Sequence, residues 1–178
     1  MSNSPAQDTE MRFPPERYLE GMKRFIAVLP QCQALKMQAE SADHQHVLFS
    51  VPFADHLIGN SRKQLIHGGV ISTLLDTACG SVAVCALPRF EMCPTLDLRI
   101  DHLRPAVAGK TLFCKASIVK VTPQIIFTEG VVYQEEGKPV SRAVANFMRL
   151  GADKIPVEMD EALFADTDSS QKSAGELS

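Results

Sequence analysis

Four residues lie close enough in this 178-residue sequence to share one reaction: the glycine pair Gly68 and Gly69, His67 just before it, and Asp76, seven positions after the second glycine. A helix beginning at Gly68 exposes backbone N–H groups that have no acceptor within the helix, and its dipole places partial positive charge at that end. Such an end suits an oxyanion, and glycine puts no side chain between those N–H groups and a ligand carbonyl. The same pair also serves simply to turn a chain sharply into a helix. Asp76 stands in the otherwise apolar run from Gly68 to Leu87, where a carboxylate carries a desolvation cost that a partner or a use must offset. The structural alternative is an Asp that is half exposed or bonded to backbone.

Helical spacing puts Gly69, Thr73, Asp76, Thr77 and Gly80 on one small, polar side. Gly69 and Asp76 point the same way but stand about 10 Å apart along the axis, so one carbonyl cannot touch both. If Gly69 holds an oxyanion while Asp76 drives attack, the two come from different chains. The chemistry itself asks for a dimer.

The elements that must position these residues follow from periodicity and punctuation. Pro14 and Pro15 open a helix over Pro14 to Leu29, with Tyr18, Met22, Phe25, Ile26 and Leu29 at helical spacing, and Pro30 stops it. Ala34 to Glu40 and Gln45 to Val51 form a hairpin around Ser41 to His44. After a loop from Phe53 to Ile66, the long apolar helix runs from Gly68 to about Ala86, ended by Pro88. Strands follow over Thr95 to Leu103, Thr111 to Thr122, Ile125 to Glu135 and Val140 to Leu150, with turn residues between them, and are expected to form an antiparallel meander. A nearly all-buried helix with long strands after it asks for an α+β fold in which a curved antiparallel sheet wraps around one long central helix, with an extra N-terminal helix. The sheet's uncovered edges and face call for a second copy, so a homo-oligomer is expected. Residues 1–12 are expected as a flexible tail, 13–151 as the one domain and 152–178 as a mostly flexible C-terminal tail.

Composition narrows the function classes. A net charge of -3 supplies no global field to draw the chain onto nucleic acid or an anionic membrane. Met1 to Glu10 lacks the basic start and apolar stretch of a secretory signal, which gives a cytoplasmic expectation. The five cysteines, Cys32, Cys79, Cys85, Cys93 and Cys114, are odd in number and form no CxxC or zinc spacing. They read as reduced, buried small hydrophobes. Cys79, on the central helix, lacks the positioned base that a nucleophilic thiol needs.

Asn60, the run Leu65-Ile66-His67-Gly68-Gly69-Val70-Ile71-Ser72-Thr73-Leu74-Leu75-Asp76, the strand Thr95-Leu96-Asp97-Leu98-Arg99 and the triplet Leu103-Arg104-Pro105 resemble the PaaI-like hot-dog thioesterases, over about residues 14 to 150. The resemblance implies hydrolysis of an acyl-CoA thioester, without a metal or a separate cofactor, in a site shared between subunits. It implies Asp76 as nucleophile or general base, Gly69 or Gly68 as the helix-end N–H that polarises the carbonyl, and Asn60 as a loop residue positioning carbonyl or water. Asn60 precedes the His by seven residues where six is the family spacing. His67 matches the family His, with helix capping and direct contact both open, and Thr95 falls where a Ser or Thr bonds the attacking water. Arg62, Lys63, Arg89 and Arg104 are the candidate cations for the CoA phosphates. A non-catalytic acyl-CoA or fatty-acid binding protein on the same fold is the alternative, against which the retained acid argues. A hot-dog dehydratase is the third reading.

Overall fold

The computed structural model describes residues 12–154 and 157–164; the expected N-terminal tail lies almost wholly outside them. The first helix, α1, spans Pro15–Ala27 with a proline in its first turn, where no N–H is needed. Its Tyr18, Met22 and Ile26 are buried. Pro30 does not merely end this helix; it starts another, the five-residue α2 (Pro30–Ala34). That helix consumes the beginning of the expected first strand. The chain then turns at Lys36, at φ 51°, and the strand β1 runs later than expected, over Gln38–Ala42. It pairs antiparallel with β2, His46–Val51, through a turn in which Asp43 Oδ1 accepts from the N–H groups of Gln45 and His46.

The expected loop before the long helix is partly ordered: a 3-10 turn at Asp55–Leu57 leads into a two-stranded ribbon of β3 (Ile58–Asn60) and β4 (Leu65–Ile66). The central helix α3 then spans Gly68–Cys85. Leu74, Leu75, Ala78, Cys79, Val82 and Ala83 are wholly buried along it, and each larger aliphatic among them stabilises the fold by about 1.5–3 kcal/mol. Among the described residues this is the one helix long and apolar enough to cross a membrane; here it is the core, with sheet strands packed along it.

The remaining strands are β5 (Thr95–His102), β6 (Leu112–Val121), β7 (Ile125–Tyr133) and β8 (Pro139–Met148). The sheet is antiparallel in the order β1-β2-β6-β7-β8-β5. The simple meander is therefore corrected: β6, β7 and β8 form one, whereas β5 lies at the far edge beside β8. The helix lies across β2, β6, β7, β8 and β5, so the chain leaving it enters the sheet on the side opposite to β2, and β6 returns to pair with β2. Beyond residue 151 the expected tail is, over Val157–Phe164, a helix α4 packed on α1. Phe164 is buried against the rings of Phe13 and Tyr18, and Gly21 gives it room, since a Cβ there would meet its ring at 2.6 Å. Phe164 and the partly buried Leu163 anchor this helix from its last turn.

Candidate active site

Position 67 is the N-cap of α3. The His67 side chain turns back so that Nδ1 accepts from Gly69 N–H at 2.9 Å, and its carbonyl accepts from Val70 N–H at 3.0 Å. His67 thus performs the capping role in this structure. A Cβ on Gly69 would stand 2.9 Å from Nδ1, and one on Gly59 2.8 Å from His67 Cα and Cβ, so both glycines leave space for this residue. The consequence for the oxyanion idea is direct: Gly69 N–H is engaged by His67, and among the described residues none accepts from Gly68 N–H. Ser72 and Thr73, one turn on, return their hydroxyls to the carbonyls of Gly68 and Gly69 at 3.2 and 2.9 Å.

Asp76 is half buried. Thr95, the first residue of β5, donates its Oγ1–H to Asp76 Oδ1 at 2.8 Å. Two residues 19 apart in sequence are thereby joined through Oδ1, and among the described residues none donates to Oδ2. Beside Asp76 opens a pocket of ≈ 140 Å³ lined by Thr77, Gly80, Val84, Phe25, Phe90 and Phe147, among others. Gly80 lies one turn beyond Asp76, and a Cβ there would come 3.2 Å from the Phe147 ring, so its lack of a side chain keeps this floor open.

Thr95 is held in place from behind. The loop leading to it carries Glu91, whose carboxylate is 3% exposed and takes hydrogen bonds from Arg149 Nη2 (2.6 Å) and Nε (3.2 Å) and from Gly151 N–H (3.2 Å). A buried carboxylate is tolerable only with such partners, and the bonded Glu91 in turn raises the Arg149 pKa above its usual value. The backbone adds Met148 N–H to Pro94 carbonyl at 2.9 Å. Sequence reasoning passed over this pair, because one acid and one base 58 residues apart carry no local signal.

The other expected site residues are spread out. Asn60, exposed, accepts from Lys63 N–H at 3.0 Å and so closes the turn of the β3–β4 ribbon. Arg62 and Lys63 are exposed on that same turn. Arg104 lines an open cleft of ≈ 470 Å³ at the start of α3, with Gly68, Ile71, His102 and Leu65. Arg89 follows the opposite end of α3, about 27 Å from Gly68 by helix length, so within one chain it does not join the other cations. His102 was not singled out by sequence: it closes β5, places Nδ1 2.9 Å from the hydroxyl of wholly buried Ser141, and brings Nε2 to 3.9 Å from where a Cβ on Gly68 would stand. A histidine on an exposed strand has no spacing pattern to mark it. Cys79 is not available for nucleophilic work, since burial pushes its thiol up to about 12.

Within one chain the site is thus two half-sites on a single helix: a capped, glycine-built N-terminus beside His102, and a Thr95-bonded carboxylate two turns on beside an apolar pocket. Such halves suit polarisation of a carbonyl at one and attack upon it at the other.

Comparison with known proteins adds four findings. The family model of the thioesterase superfamily matches residues 63–141. A Pseudomonas aeruginosa protein of known crystal structure is 44% identical, over 75% of this chain and 99% of that one, with a TM-score of 0.68. The medium/long-chain acyl-CoA thioesterase YigI of Escherichia coli K12 is 27% identical over 137 residues, 70% of this chain and 88% of that protein. The E. coli PaaI protein from the phenylacetic acid degradation operon shares the fold, with a TM-score of 0.69 over 77% of this chain and 96% of that one at 20% identity.

Proposed function

Because this chain belongs to the thioesterase superfamily and has its hot-dog fold, we propose that it hydrolyses acyl-CoA thioesters to the free acid and coenzyme A, with Asp76 driving the attack. The observation that carries the reading is the Asp76 carboxylate, fixed by Thr95 at 2.8 Å and set at the mouth of an apolar pocket. The YigI likeness supports the substrate class.

Asp76 takes a proton from water, whose oxygen bonds to the thioester carbon; alternatively a carboxylate oxygen attacks the carbon itself and water opens the resulting anhydride. In either case the carbonyl π pair moves onto oxygen. Gly68 N–H, at the positive end of α3, supports that charge, a type of contribution worth several kcal/mol. Collapse breaks the C–S bond, and coenzyme A leaves as a thiolate, a good leaving group because a thiol's ordinary pKa is about 8.5. The steps draw on side chains, a backbone donor and one water, without a metal or redox cofactor. Two turns of helix keep Gly68 and Asp76 of one chain apart, so the working unit is a homodimer in which one chain's helix end faces the partner's Asp76. The acyl chain enters the pocket beside Gly80, and Arg104, with Arg62 and Lys63 on the neighbouring ribbon, receives the CoA phosphates. We place the enzyme in the cytoplasm, where acyl-CoAs are met in solution.

The test is thiol release from a panel of acyl-CoAs, acetyl to palmitoyl. Asp76→Ala is expected to lower kcat by about 10³-fold without unfolding the protein. Equal activity in the variant would remove Asp76 from the mechanism. No release by the wild type, together with acyl-CoA binding, would favour a sensing protein instead.

A further inference from the structure

We infer that His102 is a catalytic residue of this site, its Nε2–H joining Gly68 N–H in holding the thioester oxygen while the partner's Asp76 drives the attack. The inference rests on the acyl-CoA reading above and adds to it a residue and a geometry.

Three observations converge on His102. Its ring is anchored from inside the sheet: Ser141, directly opposite it in the β5–β8 register and wholly buried, sits with Oγ 2.9 Å from Nδ1. With the Ser141 hydroxyl donating to Nδ1, the ring proton is carried on Nε2. That nitrogen faces the start of α3, 3.9 Å from the place a Cβ on Gly68 would take, and both residues line the same open cleft. A ligand oxygen entering the space left by the missing side chain comes within reach of both donors. The helix end also needs a second donor, because Gly69 N–H is already given to His67 Nδ1 at 2.9 Å and oxyanion sites act through converging donors.

The third observation concerns symmetry. On α3, Gly68 and Asp76 flank Ser72; on β5, His102 and Thr95 flank the Leu98–Arg99 bond. His102 lies by Gly68 and Thr95 by Asp76. A two-fold axis through the middle of β5 pairs the two bare edges antiparallel and sets His102 of one chain opposite the partner's Thr95. The same axis, passing α3 at Ser72, sets Gly68 opposite the partner's Asp76. One rotation therefore assembles Gly68, His102, Asp76 and Thr95 from two chains, and does so twice per dimer.

The test uses the acyl-CoA that the wild type turns over fastest. His102→Ala is expected to lower kcat about 100-fold with KM changed little and the melting temperature kept. His102→Gln, which retains an N–H donor, is expected to recover part of that loss. His102→Ala mixed equally with Asp76→Ala and allowed to exchange subunits should reach about a quarter of wild-type activity, since half the dimers are mixed and each holds one intact site. An unchanged kcat in His102→Ala overturns the inference, as does an equal loss in both variants with a lowered melting temperature. Exchange confirmed by mass without recovery overturns the two-chain geometry. If the wild type releases no thiol, or Asp76→Ala matches it, the functional reading has failed; if Asp76→Ala is inactive and His102→Ala is not, only this inference has.

Discussion

The two edges of the sheet are finished differently. At one, β1 is five residues long, broken by a bulge between Ala39 and Ser41, and packed against α1, which α4 in turn covers. At the other, β5 is eight residues long and largely exposed, with Leu96 about half accessible. Short, bulged and covered strands are how a sheet avoids joining another; a long bare one is a template for pairing. Both residues that β5 brings to the half-sites, Thr95 and His102, lie on that bare edge. The difference teaches that the chain covers the β1 side by itself and leaves the β5 side open, as the proposed two-chain site requires.

The sharpest way to break the comparison is proline in β5. Successive residues of a strand turn their N–H groups to opposite edges, so of Arg99→Pro and Ile100→Pro one removes a donor facing β8 and the other a donor facing outward. The outward variant is expected to fold, sediment as a monomer and lose about 100-fold or more in thiol release, for lack of the partner's half-site. A folded monomer of full activity would end the two-chain account.

At the other edge the expectation is the reverse, stability without function. Phe164→Ala removes the buried ring that holds α4 on α1, and is expected to cost about 3 kcal/mol in denaturant unfolding, with kcat per folded molecule unchanged. A fall in kcat would tie the β1 side to the reaction.

The smallest effect separates the interior from both edges. Burial pushes the thiols of Cys79 and Cys93 from the ordinary 9.0 up to about 12. The unfolded chain then loses these protons at lower pH than the folded one. Their contribution to stability is whole below pH 9 and declines as pH rises from 9 towards 12. Urea midpoints measured from pH 7 upward should be flat and then fall, and the fall should shrink in Cys79→Ala. An unaltered pH curve in that variant would count against a buried neutral thiol.

What the sequence made legible was what its periodicity encodes. The central helix from Gly68, the β6–β7–β8 meander and the isolated acid at Asp76 were all read from apolar spacing, and Thr95 came from a family likeness that the geometry then joined to Asp76. The order of strands was not legible, because β5 alternates no more clearly than its neighbours and its place beside β8 is decided by where α3 ends. Nor was α2: the proline read as a stop is equally suited to a helix start, and only the packing of Cys32 on the core decides. His102 escaped because its meaning lies in two contacts made across the fold, to Ser141 and to Gly68. Asn60, aligned by motif, turns out to close its own turn through Lys63 N–H.

One residue also ties two other sequence positions to itself. His67 fits only because residues 59 and 69 are both glycine, each of which would otherwise press a Cβ to within 2.9 Å of it. The three positions are therefore coupled, but unequally: Gly69 yields to the imidazole, Gly59 first of all to the Cα and Cβ of residue 67. A lineage that kept the histidine would be barred from changing either glycine; one that replaced it by a small residue would release position 69 alone, because a Cβ at 59 meets the Cα of residue 67 at 2.8 Å whatever side chain stands there. In a directed-evolution library, substitutions at 69 should survive chiefly in members that have already lost His67, and substitutions at 59 should be rare in all members.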